Sequence, residues 1–136
     1  MTQDFDFNDL FVLDLANNHQ GCKTHGQLII DSFATVARAH GQRVGIKFQF
    51  RQLDTFIHPD HKRDTENKQI KRFQETRLDR ADYEALLSRV RAHDLLAICT
   101  PFDEDSVDII TQMGFDIIKV ASCSAADWPL LGKIAE

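Results

Sequence analysis

The chain has 136 residues, 43% of them hydrophobic, with 16 Lys and Arg against 21 Asp and Glu for a net charge of −5. That is the size of one ordinary domain, with enough apolar material to build a core. The acidic balance argues against a general nucleic-acid binder, which needs a basic face. No run of about 18 apolar residues is present that would span a membrane.

The N-terminal MTQDFDFNDLF is acidic and lacks the positive segment that opens a signal peptide. Cys22, Cys99 and Cys123 are an odd set without metal-ligand spacing, which fits reduced thiols and a cytoplasmic location. Phe11 to Leu15 is the first strand candidate, and Asn17, Asn18, Gln20 and Gly21 after it are loop chemistry. From His25 to His40 the apolar positions Leu28, Ile29, Phe33, Val36 and Ala37 fall at helical spacing, and Gly41 is the stop signal. Val44 to Phe50 is the second strand. There Val44, Ile46, Phe48 and Phe50 alternate with Gly45, Lys47 and Gln49, so Lys47 and Gln49 share one face.

Residues 51–78 are the longest polar stretch. They predict a solvated loop with a short helix around Asn67–Thr76; the alternative is a lid over the strand ends, a common use of long loops. Asp79 is the N-cap of a helix that buries Tyr83, Leu86, Leu87 and Val90. Leu95 to Thr100 is the third strand. The helix after it opens with acids in its first turn and stops at Gly114, with Asp103 and Ser106 read as capping residues. Asp116 to Ala121 is the fourth strand, and WPLLGKIAE opens a further helix.

Strands and helices therefore alternate, and no hairpin dipeptide joins two strands. This implies an α/β fold with a parallel sheet and right-handed crossovers. Polar residues gather at every strand end rather than at one switch point, which favours a parallel β/α (TIM-type) barrel over a doubly wound sheet. Such a barrel needs about 250 residues. Residues 1–136 would then be about the first four β/α units, a partial domain whose remainder lies beyond Glu136; the alternative is that two copies pair to close a barrel.

A lysine inside an apolar strand is costly to bury unpaired. Lys47 and Lys119 therefore call for an anionic ligand or for a structural ion pair, with Asp14 the available partner. Thr100 precedes Pro101, which forces extended backbone and suits a hydroxyl aimed into the rim. His19 is either a ligand-facing group or a loop hydrogen-bonder. His58 and His61 around Asp60 resemble a metal pair only superficially, and no base is identifiable beside Cys123.

Four pieces in order, NHxG (Asn18, His19, Gly21), KFQ (Lys47–Gln49), TPFD (Thr100–Asp103) and KVAS (Lys119–Ser122), resemble the N-acetylneuraminate (sialic acid) synthase family. The terminal PLLGKIA resembles the helix that follows in that family. The resemblance implies a metal-dependent condensation of phosphoenolpyruvate with the aldehyde of an amino sugar, with release of phosphate. It implies that Lys47, Thr100, Lys119 and Ser122 hold phosphoenolpyruvate, that Gln49 and Phe102 shape the pocket, and that Asp14 positions the sugar or relays a proton. Asn18, His19 and Ser124 complete the expected substrate-facing set. Asp14 stands where the family usually has Glu, and Cys123 and Ser124 stand where it has Gly and an acid. The sugar side is thus altered, which implies an acceptor other than N-acetylmannosamine. The resemblance further implies a divalent Mn or Mg ion in the full-length enzyme, with ligands outside this chain, and a homodimer. The rival readings are a Schiff-base aldolase using Lys119 or Lys47, and a non-catalytic half-barrel that binds a phosphorylated ligand.

Overall fold

The alternation of apolar residues along the strands sorts the sheet into two unlike faces. The computed structural model describes residues 5–64 and 66–136. The first four residues of the acidic N-terminal segment, and Thr65 in the polar stretch, lie outside the described residues. In chain order the elements are β1 (Leu10–Asp14), α1 (Lys23–Ala39), β2 (Arg43–Phe50), α2 (Leu53–Phe56), a 3₁₀ turn at Pro59–His61, α3 (Lys68–Glu75), α4 (Arg80–Ala92), β3 (Leu96–Pro101), α5 (Glu104–Met113), β4 (Ile117–Ile118), a second 3₁₀ turn at Ser122–Ser124 and α6 (Trp128–Ala135).

The four strands pair in sequence order, and every neighbouring pair is parallel. This is the sheet that successive β/α units produce, and no described helix is long and apolar enough to cross a membrane. On one face Ile46, Phe48, Phe50, Ala97 and Cys99 pack with Ile30 and Ala37 of α1, Leu86, Leu87 and Val90 of α4, and Ile110 of α5. Burying each such aliphatic or aromatic side chain contributes about 1.5–3 kcal/mol, so this layer dominates the stability. Phe48 sits edge-on to Phe115, with ring centroids 5.3 Å apart.

Helix ends follow the local chemistry expected of them. The side chains of Asn67, Asp79, Asp103 and Asp127 accept backbone N–H bonds at the starts of α3, α4, α5 and α6. Gly114 closes α5 in the left-handed conformation at φ 78°, which a residue without Cβ adopts freely. The polar stretch contains the expected short helix, but it is not free of the body. Leu53, Ile57 and Leu78 are buried, and Phe56 lies 6.1 Å from Phe73 and 6.5 Å from Phe102 between ring centroids.

The fourth strand is shorter than the six-residue apolar stretch suggests. The Asp116 carboxylate accepts the Ala97 N–H (2.7 Å) at its start, and the chain turns at Ala121 into the second 3₁₀ turn. Only Ile117 and Ile118 pair as strand, although the Lys119 N–H still donates to the Cys99 carbonyl (2.8 Å).

Asp31 of α1 ties the outer helices together. Its carboxylate accepts two hydrogen bonds from Arg89 (2.6 and 2.8 Å) and one from His93 Nε2 (2.8 Å). Those bonds, Arg89 first and His93 second, hold its pKa down at about 2. A depressed carboxylate stabilises the fold above its unfolded pKa near 3.9 and loses that contribution as pH falls through the folded value. Asp31→Asn is therefore expected to lower the melting temperature at neutral pH and to remove part of the acid sensitivity between about pH 4 and about pH 2. Thermal melts across that range check it; an unchanged acid limb in the variant would show that the network contributes nothing.

Candidate functional site

No described helix packs on the other face of the sheet, and the polar residues of the strands lie on it. Asp14, Lys47, Ile98 and Ile117 occupy one rung of the parallel register, and Gln49 pairs with Thr100 one step further along. Side chains on one rung of a parallel ladder point the same way, and alternate residues share a face. Asp14, Lys47, Gln49 and Thr100 thus project together at the carboxyl ends of β1 to β3, and Lys119 continues the same face past β4. Gly45 makes room for this layer. A Cβ there would lie 2.5 Å from Ile98 Cδ1, so Ile98 lies across a notch that only glycine leaves open.

Lys47 and Asp14 form an ion pair of 2.9 Å, with Lys47 only 13% exposed and Asp14 52% exposed. This is the ion-pair alternative of the sequence reading, and it leaves both groups on the helix-free face. Lys119 is exposed and has no carboxylate within ion-pair distance among the described residues. Thr100 is 2% exposed, and its Oγ1 is buried with no hydrogen-bond partner among the described residues. Leaving a buried hydroxyl unsatisfied costs about 1–3 kcal/mol, so such a group calls for a partner from outside the described residues. Ser122 is exposed at the start of its 3₁₀ turn, and Phe102 is half-buried after β3.

Three further residues of the expected substrate-facing set, His19, Ser124 and Asn18, are placed less openly or bonded locally, and His19 Nε2, like Thr100 Oγ1, is buried without a partner among the described residues. His19 is 1% exposed, and its Cβ packs beside Gly26 of α1, where Leu86 of α4 also closes in. Its Nδ1 accepts the Gly21 N–H (3.1 Å), which is the loop hydrogen-bonding role. Burial, and then the neighbouring His25, push its pKa below the usual histidine value, so it stays neutral. Ser124 is buried at 7% exposure, and its N–H donates to the Ala121 carbonyl. Asn18 is exposed and donates from Nδ2 to the Asp14 carbonyl (3.2 Å), fixing the end of β1. Asp103 caps α5 as expected and does more: besides Ser106 N–H and Oγ it accepts the Gln52 N–H (2.9 Å), tying the loop after β2 to α5.

The residue that sequence reasoning passes over is Arg51. Its guanidinium stacks between the Phe102 ring (3.8 Å to the centroid) and the Phe73 ring (4.3 Å), and it donates to Gln49 Oε1 (2.8 Å). The available signal is the β2 alternation carried one step beyond Phe50, which puts residue 51 on the face of Lys47 and Gln49. On one side of Arg51 an open cavity of about 660 Å³ is lined by Phe56, His61, Phe73, Phe102 and Cys123. The polar stretch after β2 is therefore one wall of a pocket at the rim. On the other side Tyr83, whose phenol burial pushes well above its usual pKa, donates to the Gln49 carbonyl (2.9 Å). Burial likewise raises the Cys99 thiol, which removes it as a nucleophile.

His58 and His61 are exposed, with Asp60 and Asp64 at 3.5 and 3.6 Å. Among the described residues no three His, Cys, Asp or Glu side chains converge to hold a metal ion, so these residues do not by themselves fit a divalent ion. What the face offers is two ammonium groups, one carboxylate, an amide and a buried hydroxyl, a set suited to a small anion that also carries neutral oxygens.

Known proteins share this fold. A candidate spore coat polysaccharide biosynthesis protein E from Chromobacterium violaceum is 45% identical, with a TM-score of 0.91 over 95% of this chain and 38% of that one. An N-acetylneuraminic acid (sialic acid) synthetase from Leptospira borgpetersenii, solved with citrate, is 25% identical, with a TM-score of 0.72 over 93% of this chain and 40% of that one. A curated N,N'-diacetyllegionaminic acid synthase of Campylobacter jejuni is 30% identical over 71 residues, 52% of this chain and 21% of that protein. The chain thus spans about a fifth of the curated relative and about two fifths of the solved chains. The sequence pattern of the NeuB family matches residues 34–136, and the chain belongs to that family.

Proposed function

We propose that this chain supplies the first β/α units of a barrel-type sugar-acid synthase, and that its helix-free face binds phosphoenolpyruvate. The observation that carries the reading is the convergence of Lys47, Gln49, Thr100 and Lys119 on that face at the carboxyl ends of the strands, in a member of the NeuB family. The relatives that make N,N'-diacetyllegionaminic acid and N-acetylneuraminic acid support a sugar-acid product.

In this reading C3 of phosphoenolpyruvate attacks the aldehyde of an amino sugar, water adds at C2, and phosphate leaves with cleavage of the C–O bond. The chain's own residues hold the reactants. Lys119 and Lys47 offset the charge of the carboxylate and phosphate, and the Thr100 and Ser122 hydroxyls donate to their oxygens. Placed donors and cations of this kind are most effective where charge develops in the transition state. Asp14, on the same rung as Lys47, positions the sugar or carries a proton at the carbonyl. Phe102 and Gln49 bound the sugar side, and the altered residue Cys123, exposed on the cavity lining, gives that side its own acceptor preference.

The test starts with the intact mass of the protein from its native cell, where a barrel of about 250 residues requires roughly 28 kDa or more. That protein is then assayed for phosphate released from phosphoenolpyruvate with a panel of N-acetylated amino sugars and manganese. Release that depends on both substrates is the expected result. A borohydride-trapped pyruvate adduct on Lys47 or Lys119 would sink the condensation and leave an aldolase. Phosphoenolpyruvate binding without phosphate release would leave a binding half-barrel.

A further inference from the structure

Gln49 is held at both ends. Its backbone carbonyl accepts the Tyr83 hydroxyl (2.9 Å), and its side-chain Oε1 accepts an Arg51 N–H (2.8 Å). Arg51 has five N–H donors and no acceptor, so the side of the Gln49 amide facing it must be the oxygen. The planar amide then turns its NH₂ away from Arg51, and that group has no hydrogen-bond partner among the described residues. Arg51 is itself immobilised. Phe102 from the rim and Phe73 from α3 lie against its guanidinium at 3.8 and 4.3 Å from their ring centroids, and its Nε is buried without a partner among the described residues. A lysine could not reproduce this, because only a planar guanidinium stacks between two rings while donating along its edge.

We infer that Arg51 is a positioning residue: pinned between Phe73 and Phe102, it fixes the Gln49 amide so that its NH₂ is a hydrogen-bond donor on the helix-free face. Gln49 lies two residues beyond Lys47 and is bonded to Arg51, which lines the cavity beside Phe56, Phe73 and Phe102; in the proposed reaction the oxygen it meets is a neutral one, a hydroxyl or carbonyl of the acceptor sugar. The substrate part of this inference rests on the proposed function; the orientation of the amide does not. It also gives the polar stretch after β2 a task. Through Phe73, α3 sets the polarity of a group two residues beyond Lys47.

The experiment has two arms, both on the full-length protein. In the first, the Gln49 side-chain NH₂ pair is identified in a ¹H–¹⁵N spectrum by its loss in Gln49→Ala, and is then followed in Arg51→Met. A shifted pair with faster solvent exchange is expected. An unmoved pair overturns the inference, whether or not the protein turns over any substrate. In the second arm, steady-state kinetics use phosphoenolpyruvate with whichever N-acetylated amino sugar the wild type accepts. Arg51→Met is expected to raise KM for the sugar about tenfold, the scale of one well-made hydrogen bond, and to leave KM for phosphoenolpyruvate within about twofold. Gln49→Glu, which keeps Arg51 but replaces the donor with an acceptor, is expected to do the same or worse. Arg51→Met added to Gln49→Ala should cost nothing further, since the two act through one contact. Additive losses, or a Gln49→Glu enzyme with wild-type sugar KM, would show that Arg51 merely supports the loop.

Discussion

Replacing Lys119 with alanine is expected to weaken phosphoenolpyruvate binding on the order of 100-fold while leaving the melting temperature of the protein nearly unchanged. The first half follows from the roughly 1.5–3 kcal/mol carried by a hydrogen bond to a charged group. The second follows from its surroundings: Lys119 is exposed and makes no ion pair with the described residues, so its removal strands no partner. Lys47 makes the informative contrast. It is mostly buried and paired with Asp14, so Lys47→Ala removes a cation and also leaves the Asp14 carboxylate facing the anionic ligand. Calorimetric titration with phosphoenolpyruvate, alongside thermal melts, separates the two variants. Wild-type affinity in Lys119→Ala would remove that residue from the site.

A second large effect is expected at Gly21, in the NHxG segment. Its φ of 71° is left-handed, and a Cβ there would lie 2.7 Å from the backbone carbonyl oxygen of Glu75, at the end of α3. Gly21→Val therefore combines two costs: about 1–2 kcal/mol for a branched residue in left-handed backbone and about 1–3 kcal/mol for forcing two backbone segments apart. Gly41 supplies the control. Its φ is 59°, but a Cβ added there would meet nothing within 4 Å, so Gly41→Ala carries only the conformational cost. Denaturant unfolding of Gly21→Ala and Gly41→Ala isolates the contact with Glu75; equal losses would show that the loop after β1 and the end of α3 are not held together.

Much of this architecture is legible in the sequence because it is written locally. The Lys47 and Gln49 alternation, the Asp79 and Asp103 caps and the Gly114 stop depend on neighbours a few residues away, and each is where the pattern puts it. The four motif pieces led to a family to which the chain belongs. What the sequence could not show depends on distant partners. His19 turns inward because Gly26 and Leu86 make a place for its side chain, and nothing in the NHxG segment announces Leu86. Arg51 reads as one more charge in a polar stretch because its two rings, Phe73 and Phe102, lie far beyond it along the chain. The fourth strand came out short because hydropathy reports apolar content, not which amides find a partner on β3.

The double pairing of β2 gives Lys47 a fixed place in the sheet. β2 is clasped on both sides, by five rungs with β1 and six with β3. Local opening is hardest where many backbone bonds must break together. Lys47 is thus the fixed jaw of a vice, set by a doubly clasped strand before any ligand arrives.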